Sequence, residues 1–421
     1  MSEFFDGQAV NSAFECAMAG VLFRNLRHLT PPFGPGDIDL FGERGRSPIE
    51  AIWVEKGQIR WIGPDRKIPK ECRVLREISL EGRTVLPGFV ECHTHTVFAG
   101  SRSQEFSWRL AGQPYTEIYK KGGGILSTVR AVRAASLGQL AASAQKSVDG
   151  FVRQGVTTLE IKSGYGLDEK SELKLLKAIQ SLAGPEIVST YLGLHGLAPE
   201  FSTTDEYVDH VIASTLPKLK KTGLAKRCDI YIEKGFFSLE QGERFLRACH
   251  ALDLAVVIHA DQIHRTGATS LGARLSAMSC DHVIHVNDED IRCLAASSTV
   301  AVLLPMADLY MKCAYPPARK MLDAGVRVAL ATDFNPGTCP SQDLSLVGLL
   351  ARLEMKMTLE EVIEAYTMGA AHALGLEARK GQLKVGFDAD FVVLEGNPSE
   401  LFYSAGRMPV YRVYRGGVQL G

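Results

Sequence analysis

The chain repeats one alternation eight times: a short apolar, strand-like run and then, in most cases, a polar stretch suited to a helix. The runs are TVLPGFVEC (84–92), TTLEIKS (157–163), EIVSTYLGLH (186–195), CDIYIEK (228–234), AVVIHAD (255–261), CDHVIH (280–285), TVAVLLP (299–305) and VRVALATD (326–333). Parallel neighbours need a long crossover, normally a helix, so the alternation argues for a parallel sheet, and eight units is the number that closes into a (β/α)8, TIM-like barrel. One linker shows the helical character: DEKSELKLLKAIQSLAG opens on Asp168 as an N-cap and closes at Gly184. Outside the alternation, AIWVEKGQIRWIGP near the front, and DADFVVLEG and PVYRVYRGG near the back, read as strands punctuated by Gly, Pro and Asn. The expected architecture is α/β: a barrel over residues 84–380 with a small composite β-sandwich domain built from both termini, 1–83 and 381–421.

Composition narrows the function classes. The 47 basic and 48 acidic residues nearly cancel, so no broad basic field exists to hold nucleic acid or an anionic membrane. Apolar runs such as that in SSTVAVLLP fall far short of the roughly 20 residues of a membrane helix. The first residues, MSEFFDGQAV, carry acids where a secretory signal has a basic region and then a continuous apolar one, so a cytoplasmic location is expected. The nine cysteines are odd in number and include no C-x-x-C pair, which reads as scattered reduced thiols rather than a disulfide framework. A small-molecule substrate is the expected partner.

Alternate residues of a strand face the same way, so His93 and His95 of FVECHTHT project together at the carboxyl end of the first run. An H-x-H pair alone is weak, since packed or exposed histidines produce it often. Position strengthens it: His259 and His282 stand at the ends of the fifth and sixth runs, and Asp333 ends the eighth in LATDFNPGT. A barrel gathers those ends into one ring. Three imidazoles and a carboxylate suit zinc or iron, and a site with one position open to water is a hydrolytic centre. The connection from Phe98 to Gly155 carries FAGSRSQEF and KKGGGILSTVR, too much for a bare crossover, and is expected to build the pocket. Its glycine run, Gly122–Gly124, lacks the spacing of a phosphate loop, and Lys120 and Lys121 beside it read as solvated.

In this order, HTHTVFAGSRSQEF, GGGILSTVRAVRAAS, EIKSGYGLD, STYLGLHGLAPEF, HADQ, the Asp281–His282 pair, AVLLP, TDFNPGT and GQLKVGFDADFVVLEG resemble the imidazolonepropionase family of the amidohydrolase superfamily. The resemblance covers most of the chain. It implies hydrolysis of the ring amide of 4-imidazolone-5-propanoate to N-formimidoyl-L-glutamate in histidine degradation, by a water activated at one zinc or iron ion per chain, and a homodimer. His93, His95, His259 and Asp333 resemble the family's metal ligands, and Arg102, Tyr165, His195 and Gln262 its substrate contacts. Asn335, Gly337 and Thr338 match residues that hold substrate or product. In the chemistry so implied, Asp333 takes and relays the water's proton, His282 serves the water or the developing oxyanion, His195 and Tyr165 orient the ring, and Arg102 binds the propanoate carboxylate.

Three features depart from related patterns. Gln262 stands where many mononuclear deaminases carry Glu, and an amide cannot shuttle a proton, which disfavours deamination. Lys162 is the one lysine that a dinuclear, carboxylated-lysine site could use, but it lies on the second run within a segment that itself resembles the mononuclear family. The loop after AVLLP reads MADLYMKCAYPP, unlike the family's, and leaves substrate scope open. The competing readings are another cyclic amidohydrolase or deaminase, and a barrel scaffold without chemistry.

Overall fold

The computed structural model describes residues 20–33, 50–72, 76–113, 117 and 123–421; the amino-terminal MSEFFDGQAV segment and Lys120–Gly122 lie outside the described residues. Eight parallel strands pair in sequence order: β1 (Phe89–Glu91), β2 (Val156–Lys162), β3 (Glu186–Leu194), β4 (Arg227–Ile232), β5 (Ala255–Ala260), β6 (Ser279–His282), β7 (Val300–Leu303) and β8 (Val328–Leu330). The ring closes just beyond the first and last strands, where Asp333 N donates to His93 O at 3.1 Å and His95 N to Phe334 O at 2.9 Å. This is the expected barrel.

Each strand is short, and its two faces divide the labour. In β2, Leu159 and Ile161 join the apolar layer under the helices, whereas Glu160 and Lys162 alternate with them and are buried all the same. The helical expectation for DEKSELKLLKAIQSLAG holds, with Asp168 accepting from Ser171 N at 2.8 Å, although the helix Glu169–Gln180 stops before Gly184. Among its described residues, the long first connection contains the helices α1 (Ser103–Leu110), Ile125–Ala134 and Leu137–Val152.

A second, seven-stranded sheet is interleaved from both ends of the chain: Val418–Leu420, Val410–Arg415, Phe391–Leu394, Arg76–Pro87, Val21–His28, Glu50–Glu55 and Gln58–Pro64, in that spatial order. Its core includes Phe23, Phe391 and Tyr414, whose rings meet at 4.7 to 5.0 Å. The first apolar run, expected as a single barrel strand, is in fact shared between the sheets. Residues through Pro87 pair with Phe391–Val393, and the barrel strand begins only at Phe89. Gly88 permits the transfer, because a Cβ there would meet Thr157 Oγ1 at 2.2 Å.

Candidate active site

Five side chains converge at the carboxyl end of the barrel. His93 and His95 follow β1, His259 lies in β5, His282 ends β6, and Asp333 follows β8; all five are buried. The ligand atoms of His93, His95 and His259 lie within 4.8 Å of one another. Asp333 Oδ1 is 3.4 Å from Nε2 of both His93 and His95. The His282 ring sits 5.2 Å from that of His259 and 5.6 Å from that of His93. Both His282 (φ 76°) and Asp333 (φ 54°) are left-handed, a conformation that costs on the order of 1 kcal/mol for residues with a Cβ. The seam hydrogen bond from Asp333 N holds one of them in place.

The cluster meets the requirements of a cation. Burial holds His93, His95 and His282 well below the usual imidazole range, in the neutral form that binds a metal, and for His95 the neighbouring His195 adds to it; at His259 burial also opposes the charge, but Asp229 outweighs it and raises the pKa of the ring. His93 Nε2 is buried and has no hydrogen-bond partner among the described residues. Its other nitrogen is committed, with Nδ1 2.6 Å from Asp281 Oδ2. His259 Nδ1 lies 3.0 Å from Asp229 Oδ2, an ion-pair contact whose angle falls short of a hydrogen bond. Carboxylates behind two rings leave their Nε2 atoms facing the cluster, the arrangement that orients metal-binding imidazoles. Three buried histidines so gathered, two of them backed by carboxylates, could hold a metal ion.

Lys162 lies behind this layer. Its Nζ is 3.0 Å from Asp229 Oδ2, 3.1 Å from Glu160 Oε1 and 3.6 Å from Asp281 Oδ2. Burial opposes the charge, but the three carboxylates outweigh it and raise the pKa, so Lys162 is an ammonium. A carbamate on Lys162 would add an anion among these three carboxylates, which argues against the carboxylated-lysine alternative.

Above the cluster opens a cavity of about 500 Å³. His95, His259, His282 and Asp333 line it, as do the expected contacts Arg102, Tyr165, His195, Gln262, Asn335 and Thr338. Gly337 does not line it but backs it: a Cβ there would meet Arg102 Nη1 at 2.1 Å. Tyr165, His195, Tyr231 and Phe236 give the cavity an aromatic side. His195 Nδ1 donates to Gly164 O at 2.9 Å, leaving Nε2 as an acceptor. Burial, helped by His259, lowers His195 to about 4, so it works as a neutral ring. Asn335 uses its amide to shape its own loop, donating to Asp333 O at 2.7 Å and accepting from Thr338 N at 2.7 Å. Gln262 Nε2 lies 3.6 Å from Met311 Sδ, a residue of the divergent segment after β7, which forms the helix Pro305–Met311.

The sequence offers a pairing of Arg102 with Glu105, which the structure contains, but sequence reasoning missed the second bond of Glu105 and missed Arg109. Arg102 Nε donates to Glu105 Oε2 at 3.0 Å, and that oxygen also accepts from Gly124 N at 2.7 Å, so Glu105 fastens α1 to the start of the next helix. Arg109, at the end of α1, also lines the cavity, and its Nη2 has no hydrogen-bond partner among the described residues. Spacings of three and four residues place Arg102, Glu105 and Arg109 on one helix face, without telling whether that face meets solvent or a cavity.

The amidohydrolase family model matches residues 84–420. The chain is 54% identical to an imidazolonepropionase of Bdellovibrio bacteriovorus over 85% of each chain. It is 42% identical to one of Phocaeicola vulgatus over 88% of this chain and 91% of the relative, and 39% identical to one of Syntrophobacter fumaroxidans over 94% and 96%. Among solved structures, an adenosine deaminase from Xanthomonas campestris with bound zinc superposes with a TM-score of 0.71 at 17% identity, covering 95% of this chain and 92% of that one. Guanine deaminase of E. coli gives 0.68 at 18% identity, covering 96% and 99%. Those two likenesses show the fold, whereas the sequence relatives go further, and on their account the chain belongs to the imidazolonepropionase family of the amidohydrolases.

Proposed function

We propose that the chain hydrolyses 4-imidazolone-5-propanoate to N-formimidoyl-L-glutamate at one zinc or iron ion held by His93, His95, His259 and Asp333. The observation that carries this reading is the buried three-histidine and aspartate cluster at the floor of a cavity that has an aromatic side and two arginines in its wall. When bound, such an ion acts as a Lewis acid that makes a water at the site acidic enough to attack at neutral pH.

The residues then divide the work. Arg102 and Arg109 grip the propanoate carboxylate, the first through charge-assisted hydrogen bonds in a fixed fork. His195 accepts the ring N–H through Nε2, and Tyr165, which burial keeps protonated, donates its hydroxyl hydrogen. His282, neutral and with Nδ1 without a partner among the described residues, supports the carbonyl oxygen as it gains negative charge. Asp333 takes the proton of the attacking water and returns it to the ring nitrogen as the C–N bond breaks. Gln262 positions the ring, since its amide holds and donates hydrogen bonds without titrating. Asn335, Gly337 and Thr338 keep the loop beyond β8 against Arg102 and the product.

Elemental analysis of protein purified without chelator, followed by turnover of imidazolone propanoate, tests the proposal. One equivalent of zinc or iron and ring opening are expected. Two equivalents at full activity, or no ring opening by the loaded protein, would overturn it.

A further inference from the structure

Two of the three clustered histidines are oriented by carboxylates, and both carboxylates meet the same ammonium. Asp281 Oδ2 touches His93 Nδ1 at 2.6 Å and stands 3.6 Å from Lys162 Nζ. Asp229 Oδ2 lies 3.0 Å from His259 Nδ1 and 3.0 Å from the same Nζ. A single oxygen is thus the bridge in each case. Glu160, two residues before Lys162 on the same strand, supplies the third contact at 3.1 Å. Strands β1, β2, β4, β5 and β6 all contribute a member, so one side chain joins five of the eight staves of the barrel. Asp281 is further fixed by Ser279 Oγ at 2.6 Å.

Without the ammonium, Asp229, Asp281 and Glu160 would face one another across a dry interior, and mutual repulsion would drive them apart. Their rotation would take the His93 and His259 rings with them. His95 is held differently: among the described residues its one carboxylate contact is Asp333 Oδ1, 3.4 Å from Nε2, and its ring stacks on His195 at 5.1 Å. The tie therefore acts on two ligands and spares the third.

We propose that Lys162 is a positioning residue of the metal centre, a clamp that through Asp281 and Asp229 sets the ring orientations of His93 and His259 jointly. This rests on the ligand assignment made above. Its outcome is a preformed site: both Nε2 atoms point into the cluster before an ion arrives, so binding does not have to order them.

The test is the zinc dissociation constant, from equilibrium competition with a chelator, for the wild type, Lys162→Met and His259→Ala, each with melting temperatures with and without zinc. Lys162→Met is expected to bind zinc about 10- to 100-fold more weakly and to lose much of the zinc-induced rise in melting temperature. A purely structural lysine would instead lower both melting temperatures alike and leave the zinc affinity unchanged, and that result overturns the proposal. Cobalt substitution adds a spectroscopic readout, with an altered visible spectrum expected in Lys162→Met. If Lys162→Met does not fold, Asp281→Asn and Asp229→Asn decide: each should weaken zinc binding about tenfold by loosening one ring, and wild-type affinity in both overturns the clamp. Wild-type zinc affinity in His259→Ala would sink the ligand assignment instead, so the two failures are told apart.

Discussion

Arg102 and Arg109 present two guanidinium groups to a cavity whose floor is a cluster of imidazoles, and Glu105 holds the first of them in place. Replacing Arg102 by Met keeps much of the volume and deletes the charge. We expect kcat/KM for imidazolone propanoate to fall about 30- to 1,000-fold, mostly through KM, with metal content unchanged. An imidazolone lacking the carboxylate should lose far less, and an equal loss on both ligands would mean that Arg102 supports only α1. Asp333→Asn should fold, because the seam bond uses its backbone, but lose nearly all turnover; retention of roughly a tenth of wild-type kcat would refute its role as proton acceptor. Most of these residues were readable from sequence because their chemistry is scarce: eleven histidines leave few ways to place four at strand ends. Arg109 was not, since a charged residue on an amphipathic helix has the same spacing whether it faces solvent or a cavity. The fate of Lys162 was equally hidden, as its partners Asp229 and Asp281 come from strands far along the chain.

Between elements, the loop after β8 and the start of α1 are fitted to each other at Gly337. An alanine methyl there would come within 2.1 Å of Arg102 Nη1, on a guanidinium whose Nε and Nη2 are already tied to Glu105, which restricts its stepping aside. Gly337→Ala should therefore mimic part of the arginine loss, raising KM by about tenfold while thermal stability stays within a few degrees of wild type. A KM equal to wild type would show that the arginine tip has room to move. The same scale explains where sequence reading blurred. The run TVLPGFVEC has one continuous apolar pattern, so nothing in its periodicity marks the handover between sheets at Pro87 and Gly88; that is decided by the approach of Thr157 from the neighbouring strand. Likewise the helix after Asp168 stops at Gln180 rather than at the glycine four positions on, since caps fix helix ends only to within a turn.

Taken whole, the molecule is a barrel and a sheet; Val392, Leu394 and Phe402 of the returning carboxyl-terminal segment pack into the barrel's apolar core, and a group of ion pairs reinforces that join. Glu186 at the start of β3 meets Arg379 and Lys380, which in turn meet Asp388, and Lys380 reaches Asp390. Burial would raise Glu186, but the two cations outweigh it and hold it at about 2. A carboxylate so depressed stabilises the fold above its unfolded value of about 4.5, and that contribution disappears as pH falls from there toward 2. Glu186→Gln should thus lower the melting temperature at pH 7, by a loss on the order of 2 kcal/mol, and by progressively less below pH 4. A difference constant across that range would exclude the linkage. The eight-unit architecture and the two-ended sheet were legible because period and punctuation repeat along the chain, while this ionic join was not, its partners lying almost two hundred residues apart. The seam between the first strand and the last has a temporal consequence as well. His93 and His95 leave the ribosome 240 residues ahead of Asp333 (93 to 333), which at usual rates of synthesis is roughly ten to fifty seconds. Through that interval the nascent barrel is an open arc with a bare edge, and its histidines still lack Asp333. With the ligands proposed above, the full set would exist only once the arc has become a ring, so tight binding of an ion would mark the end of translation of the barrel.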